Sequence, residues 1–330
     1  MKRKYDVYGI GNALVDIVTE VSDDFLESNK VEKSLMTLVD EDKQNQLSTA
    51  INIENSSKQC GGSAANTIIG ISQFGGSSYY ACRVADDEMG KFFLADMQKN
   101  GVATNLNAET LPEGITGKCL VMTTPDAART MNTFLGITSD FSVAELDEEI
   151  IADSDYIYIE GYLVTSDAAR EAMHEAIRLA RKHGTKVALT FSDPSMVKFF
   201  RPQMQEVVSD GVDLLFCNIE EAQLFAETDE MAEVIAKLKE VATEFVITKS
   251  EKGATIYYGG DEIEIAPNKV QAIDTNGAGD CFAGAYLYGI TNGLSRQQAG
   301  DLASAASAKV VTQFGPRLTK EQAHALLADR

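Results

Sequence analysis

The heptapeptide Asp-Thr-Asn-Gly-Ala-Gly-Asp at residues 274–280 sets two carboxylates around a turn of small residues, and the CFAGAYLYGI that follows has the apolar character of a buried helix. Gly277 and Gly279 can adopt backbone conformations closed to other residues, and Ala278 adds almost no bulk, so an anionic oxygen could come close to the backbone amides. A helix starting here would aim its unpaired N–H groups and the positive end of its dipole at the same point. Asp280 then falls in the first turn, where a carboxylate is electrostatically favoured. Such a segment can be an anion cradle, or no more than an Asp-capped helix after a glycine turn; its own chemistry leaves both open.

The rest of the chain must supply a scaffold that presents this turn. Tyr5–Ile10 and the runs at 79–82, 156–159, 186–190, 214–217 and 245–248 have the continuous or β-branched character of buried parallel strands. Helical patterns at 62–74, 87–100, 166–183, 219–226, 230–242 and 278–290 lie between or after them. This alternation predicts an α/β fold, a mainly parallel sheet covered by helices on both faces. Four strand-like runs, at 15–21, 34–39, 117–124 and 129–135, have no obvious place in that sheet, and Pro125-Asp126-Ala127-Ala128 joins the last two as a hairpin. They read as a small β-sheet lid, discontinuous in sequence. The expected division is a core of 1–13, 41–115 and 137–330, with the lid formed by 14–40 and 116–136.

Composition narrows the function classes. The chain of 330 residues is 44% hydrophobic, enough for a large core, and carries 29 basic against 50 acidic residues, a formal charge of -21. A field of that sign repels polyanions and anionic membrane surfaces, so neither nucleic acid nor membrane is expected as a partner. A small anion remains admissible where amides, a metal ion or one Arg reverse the field locally. The five cysteines, at 60, 82, 119, 217 and 281, stand singly and are odd in number. With no apolar signal core after MKRKYDVYGI, they indicate a reducing compartment, the cytoplasm. His174, His183 and His324 lack metal-ligand spacing.

Two familiar phosphate loops fail on inspection. Gly9-Ile-Gly-Asn-Ala-Leu14 has the first two glycines of a dinucleotide fingerprint, but Leu14 occupies the third position and the following residues look extended. Gly90-Lys91 and Gly117-Lys118 are followed by Phe92 and Cys119, not by the Ser or Thr of a P-loop. The 274–280 stretch is similar to the C-terminal signature of the PfkB, or ribokinase-like, family of carbohydrate and nucleoside kinases. Gly61-Gly62-Ser63-Ala64-Ala65-Asn66, with Gly70 and Gly75 after it, resembles that family's N-terminal glycine signature. Asn218-Ile-Glu-Glu221 resembles its N-x-x-E element. The three matches fall in the family's order along almost the whole chain.

The resemblance implies a ribokinase-like three-layer α/β/α sandwich with a small β-sheet lid, and ATP-dependent phosphorylation of a primary hydroxyl. It makes Asp280 the base, the amides of Gly277, Ala278 and Gly279 an anion hole, and Arg129 of the lid hairpin a cation for the transferring phosphate. It puts ATP along the sheet edge at Asn218, Thr248, Lys249, Ser250 and Gly253. Mg²⁺ would be held largely through phosphates and waters, with Glu221 in its outer shell, and Asp274 would contribute to a site for a monovalent cation such as K⁺. Asn12 and Asp16, with Gly61, Gly62, Ser63 and Asn66, would bind the acceptor, a carboxylate being suited to two adjacent hydroxyls. GNALVD, RTMNTFLG and EGY look most like the adenosine kinase branch, where Met36, Phe134 and Tyr162 would wall a purine. Inosine or guanosine, or a sugar or sugar acid such as ribose, fructose or ketodeoxygluconate, remain alternatives, as does a sensor on the same fold that has lost turnover. Monomer and homodimer are both open.

Overall fold

The structure is a computed structural model that describes residues 3–51, 56–126 and 128–328. In chain order the described strands are β1 (Tyr5–Ile10), β2 (Leu14–Glu20), β3 (Met36–Leu38), β4 (Ser57–Gly61), β5 (Ser78–Ala81), β6 (Ala103–Thr104), β7 (Gly117–Thr123), β8 (Arg129–Phe134), β9 (Ser154–Glu160), β10 (Lys186–Thr190), β11 (Val212–Asn218), β12 (Ala242–Thr248), β13 (Ala254–Tyr258) and β14 (Asp261–Ile265). Nine of them form one sheet in the order β14-β13-β12-β11-β10-β9-β1-β5-β6, parallel from β12 to β6 and antiparallel at the β13 and β14 edge.

Alternation along the strands explains the three layers. Tyr156 and Tyr158, Leu214 and Phe216, and Val246 face one side, where helices Ser63–Gln73, Glu88–Lys99, Ala278–Thr291 and Arg296–Val310 pack. Ile157 and Ile159, Leu215 and Cys217, and Phe245 and Ile247 face the other, under helices Asp167–His183, Pro194–Val208 and Met231–Val241. A strand buried on both faces must be apolar throughout, which is why these runs are legible as continuous stretches. The chain leaves β1 for the small sheet and returns to β5 on one side and β9 on the other. That reversal of strand order opens a crevice at the strands' carboxyl ends.

The second sheet runs β3-β8-β7-β2-β4. β7 and β8 pair antiparallel as the expected hairpin; Ala127 of its turn lies outside the described residues. Two features depart from the expected division. β4 belongs to this sheet, pairing with β2, although the expected core includes 41–115. Helix Glu41–Ile51 also sides with it, since Leu47 packs with Ile17, Leu26, Leu120 and Met122 on the sheet's outer face. Ser-Lys-Gln-Cys-Gly carries no strand pattern of its own, and only pairing with β2 makes it one. All five cysteines are buried as free thiols, and among the described residues no helix is long and apolar enough to cross a membrane.

Candidate active site

A cavity of about 1070 Å³ lies between the carboxyl ends of the main-sheet strands and the inner face of the small sheet. Its floor gathers Asn12 after β1, Glu160 ending β9, Thr190 ending β10, Asn218 ending β11 and Thr248 ending β12. The helix Ala278–Thr291 points its N-terminus into it, with Gly277 as N-cap at φ 72° and Asp280 in the first turn. A Cβ on Gly277 would sit 2.4 Å from Pro316, so both the backbone angle and the space require glycine.

Two helix starts meet at Asp280. Its Oδ1 accepts from Ser63 Oγ at 2.6 Å and its Oδ2 from Asn66 Nδ2 at 3.0 Å, both from the first turn of helix Ser63–Gln73. The two helices come this close because Gly284 packs on Thr67 and Gly70; a Cβ on Gly284 would meet the Thr67 carbonyl oxygen at 2.7 Å. Burial raises the Asp280 carboxyl to about 6, with the Ser63 and Asn66 hydrogen bonds holding it down. Gly62 begins the second helix at φ 102°, where a Cβ would collide with the Asn12 carbonyl oxygen at 2.3 Å.

Two more acids complete the cluster. Asp16, on β2, is raised to about 7 by burial, opposed by Arg317 and reinforced by Asp280. Gly61 does not line the cavity but makes room for it: a Cβ there would lie 2.0 Å from Asp16 Oδ1. Glu160 accepts from the Asn12 N–H at 3.2 Å, the Ala64 N–H at 3.0 Å and Asn12 Nδ2 at 3.3 Å, and burial raises it to about 8 against the Ala64 bond. In the sequence EGY stands out only as a resemblance and gives Glu160 no role; its weight comes from burial between β1 and helix Ser63–Gln73, which no local signal carries.

Arg129 opens β8, lines the cavity and pairs with Asp274 through Nη2. Its Nη1 is buried without a partner among the described residues. An unsatisfied charged donor of this kind costs about 1–3 kcal/mol or more, which an anion arriving in the cavity would relieve. On the opposite side, Asn218 and Glu221 close on each other. The Glu221 carboxylate accepts from the Asn218 N–H at 2.9 Å and Nδ2 at 2.8 Å, and burial lifts it to about 7 against that backbone bond. Among the described residues no three His, Cys, Asp or Glu side chains converge as a metal cage.

Sequence and fold comparisons match this arrangement to known proteins. The sequence pattern of the pfkB family carbohydrate kinases matches residues 30–323. The chain belongs to the PfkB family. It resembles the crystal structure of adenosine kinase from Sinorhizobium meliloti with a TM-score of 0.90 and 33% identity, covering 98% of this chain and 99% of that one. A probable sugar kinase from Rhizobium etli is similar at a TM-score of 0.90 and 32% identity, over 99% of each chain. The 5-dehydro-2-deoxygluconokinase of Clostridium perfringens is 26% identical over 94% of this chain and 88% of its own length. As a PfkB protein the chain is a kinase, a phosphotransferase with an alcohol acceptor on a sugar or nucleoside, on the ribokinase-like fold.

Most of the residues expected from the family resemblance do face the cavity: Asn12, Asp16, Gly62, Ser63 and Asn66 at one end, Asn218, Glu221, Thr248, Ser250 and Gly253 at the other, and Met36, Tyr162, Arg129 and 277–280 between or above them. Four do not. Gly61 stands behind Asp16, and Asp274 is fully buried beneath the turn. Phe134 lies on the wrong face of β8: Arg129, Met131 and Thr133 point inward, and a period of two sends Phe134 outward. Leu14, Leu38, Met131 and Leu135 supply the apolar wall instead. Lys249 turns away to Glu264 on β14, 3.3 Å distant. Lys249→Ala is therefore expected to change KM for the phosphate donor by less than about twofold, since rim ion pairs contribute about 0–1 kcal/mol; initial rates against donor concentration check this.

Proposed function

We propose that this protein transfers the γ-phosphoryl group of ATP to the 5'-hydroxyl of a ribonucleoside, adenosine in the first place. The observation that carries the substrate class is the acceptor end of the cavity. There Leu14, Met36, Leu38, Met131, Leu135 and Tyr162 form an apolar wall beside Asn12 and Asp16, which suits a flat base on a diol-bearing ribose. The 33% identity to an adenosine kinase supports the same choice. Kinship with 5-dehydro-2-deoxygluconokinase favours a sugar acid as the second reading. A carboxylate substrate would have to sit beside Asp16, Glu160 and Asp280, and the cavity's described cations are Arg129, engaged with Asp274, and Lys269 beyond β14. Near neutral pH the ionised Asp280, and Asp16 in its ionised fraction, oppose it, while Glu160, raised to about 8, is mostly neutral.

In this reading Asp280 takes the proton from the attacking hydroxyl, and the hydrogen bonds from Ser63 and Asn66 keep its carboxylate oriented and ionised. The amides of 277–279 receive charge developing on the phosphoryl oxygens, and Arg129 Nη1 adds a donor from the small sheet. Mg²⁺, when bound with ATP, neutralises phosphate charge. The paired geometry of Asn218 and Glu221 suits contact through water, because each is already engaged by the other. Thr248, Ser250 and Gly253 border the space for the nucleoside part of ATP.

A panel of adenosine, inosine, guanosine, ribose, fructose and 5-dehydro-2-deoxygluconate with ATP and Mg²⁺ tests the reading. Adenosine should give the highest kcat/KM; a sugar acid exceeding it would overturn the nucleoside assignment. Asp16→Asn should raise the acceptor KM by about 10- to 100-fold, the equivalent of hydrogen bonds to a charged group. The same variant should melt higher than wild type at pH 8, and the gap should close toward pH 4. The folded pKa of Asp16, about 7, lies above its ordinary value, so ionising it in the fold removes stability as pH rises.

A further inference from the structure

We infer that the guanidinium of Arg129 takes, at the Asp274 carboxylate, the place a monovalent cation would occupy, so that Asp274 is a positioning residue tying the small sheet to the 277–279 turn. The donor set decides this. Oδ1 of Asp274 accepts the Asn276 N–H at 2.8 Å, and Oδ2 accepts the Gly315 N–H at 2.9 Å together with Arg129 Nη2. The neighbouring Val311 carbonyl is also engaged, receiving the N–H groups of Ile273 at 2.7 Å and Asp274 at 3.2 Å. A hard cation needs oxygen lone pairs converging on one point. What converges on this fully buried carboxylate is N–H donors, and the charge it needs is already present on Arg129.

The connection is mechanical as well as electrostatic. Arg129 is the first residue of β8, and Asp274 begins the turn that leads to Gly277, so one carboxylate holds both elements. The bond to the Asn276 N–H is a local Asx-type turn that sets the approach to Gly277. With Nη2 fixed on Asp274, the planar guanidinium also fixes the direction of the unpartnered Nη1. An alkali ion entering at Asp274 would have to displace the guanidinium and loosen the small sheet from the turn. The part concerning phosphate orientation rests on the kinase reading above; the part concerning cations does not.

The test compares wild type, Asp274→Asn, Arg129→Gln and the double variant in K⁺, Na⁺ or choline chloride at equal ionic strength, reading kcat, KM and the thermal midpoint. Wild type should show less than about a twofold difference in kcat among the three salts, and no K⁺-specific rise in melting temperature of the kind a bound ligand produces. Each single variant should lose about tenfold or more in kcat with a smaller change in acceptor KM. The double variant should be no more than about twofold worse than the poorer single, because residues acting through one contact are not additive. Losses that multiply would overturn the coupling. A K⁺-specific stabilisation of wild type that Asp274→Asn abolishes would overturn the cation assignment. The melting measurements need no substrate, so absence of turnover on every acceptor would count against the kinase reading while leaving this inference to be decided by the midpoints.

Discussion

Asp280→Asn should lower kcat by about 10²- to 10⁴-fold, the usual contribution of a positioned general base, with acceptor and donor KM changed far less. Asparagine fills the same space and its carbonyl oxygen can still accept from Ser63 or Asn66, so binding geometry should survive while the proton acceptor is lost. Folding should not suffer. The carboxyl is raised by burial to about 6, so its ionised form costs stability above that pH, and the neutral amide should leave the melting temperature at pH 8 unchanged or higher. Wild-type kcat/KM should fall as pH drops through about 6, where Asp280 takes up its proton. Asp16 and Glu160 titrate in the same cluster, so the acid limb is a property of the group. Asn66→Ala removes a bond that favours the ionised form and should move the limb to higher pH. Near wild-type kcat in Asp280→Asn would remove the base from the mechanism.

Gly277→Ala should be nearly as damaging, by a different route. A left-handed backbone costs a non-glycine residue roughly 1–2 kcal/mol, and here the added methyl also meets Pro316 at 2.4 Å. The turn must shift, which moves the amides proposed to receive the transferred group; the loss of one such donor typically lowers kcat about 10²- to 10³-fold. The melting temperature should fall by a few degrees as well. Gly279→Ala separates the two effects. A Cβ on that residue would have no neighbour within 4 Å and would face the cavity, so the methyl would cost no folding stability but would occupy ligand space. Equal thermal destabilisation in both variants would contradict this account of the turn.

The elements legible in the sequence are those whose signal is local. Helices Ser63–Gln73, Asp167–His183 and Ala278–Thr291 match their expected ranges within a residue or two because their apolar runs and their start signals, a glycine turn at Gly62 and Gly277 and the capping side chain of Ser166, are local. β4 escapes because its pairing partner, not its composition, makes it a strand. The antiparallel edge of β13 and β14 escapes as well, since alternation read along one segment does not say which neighbour it will join. Phe134 shows the same limit at the scale of one residue. Both faces of β8 mix polar and apolar side chains, so nothing local says which is inward, and an error of one position changes the face.

The 274–280 turn, the glycine turn at 61–62 and the Asn218-x-x-Glu221 pair were legible along the chain as family-like signatures, because helix N-termini and glycine turns are built from consecutive residues. Packing alone brings Glu160 beside Asp16 and Asp280, lets Gly70 and Gly284 bring two helix starts onto one carboxylate, and pairs Asp274 with Arg129, 145 residues away along the chain. The physical reason is common to all three. Burial and charge pairing between distant segments depend on which surfaces the packed sheets bring together, and no window along the chain contains both partners.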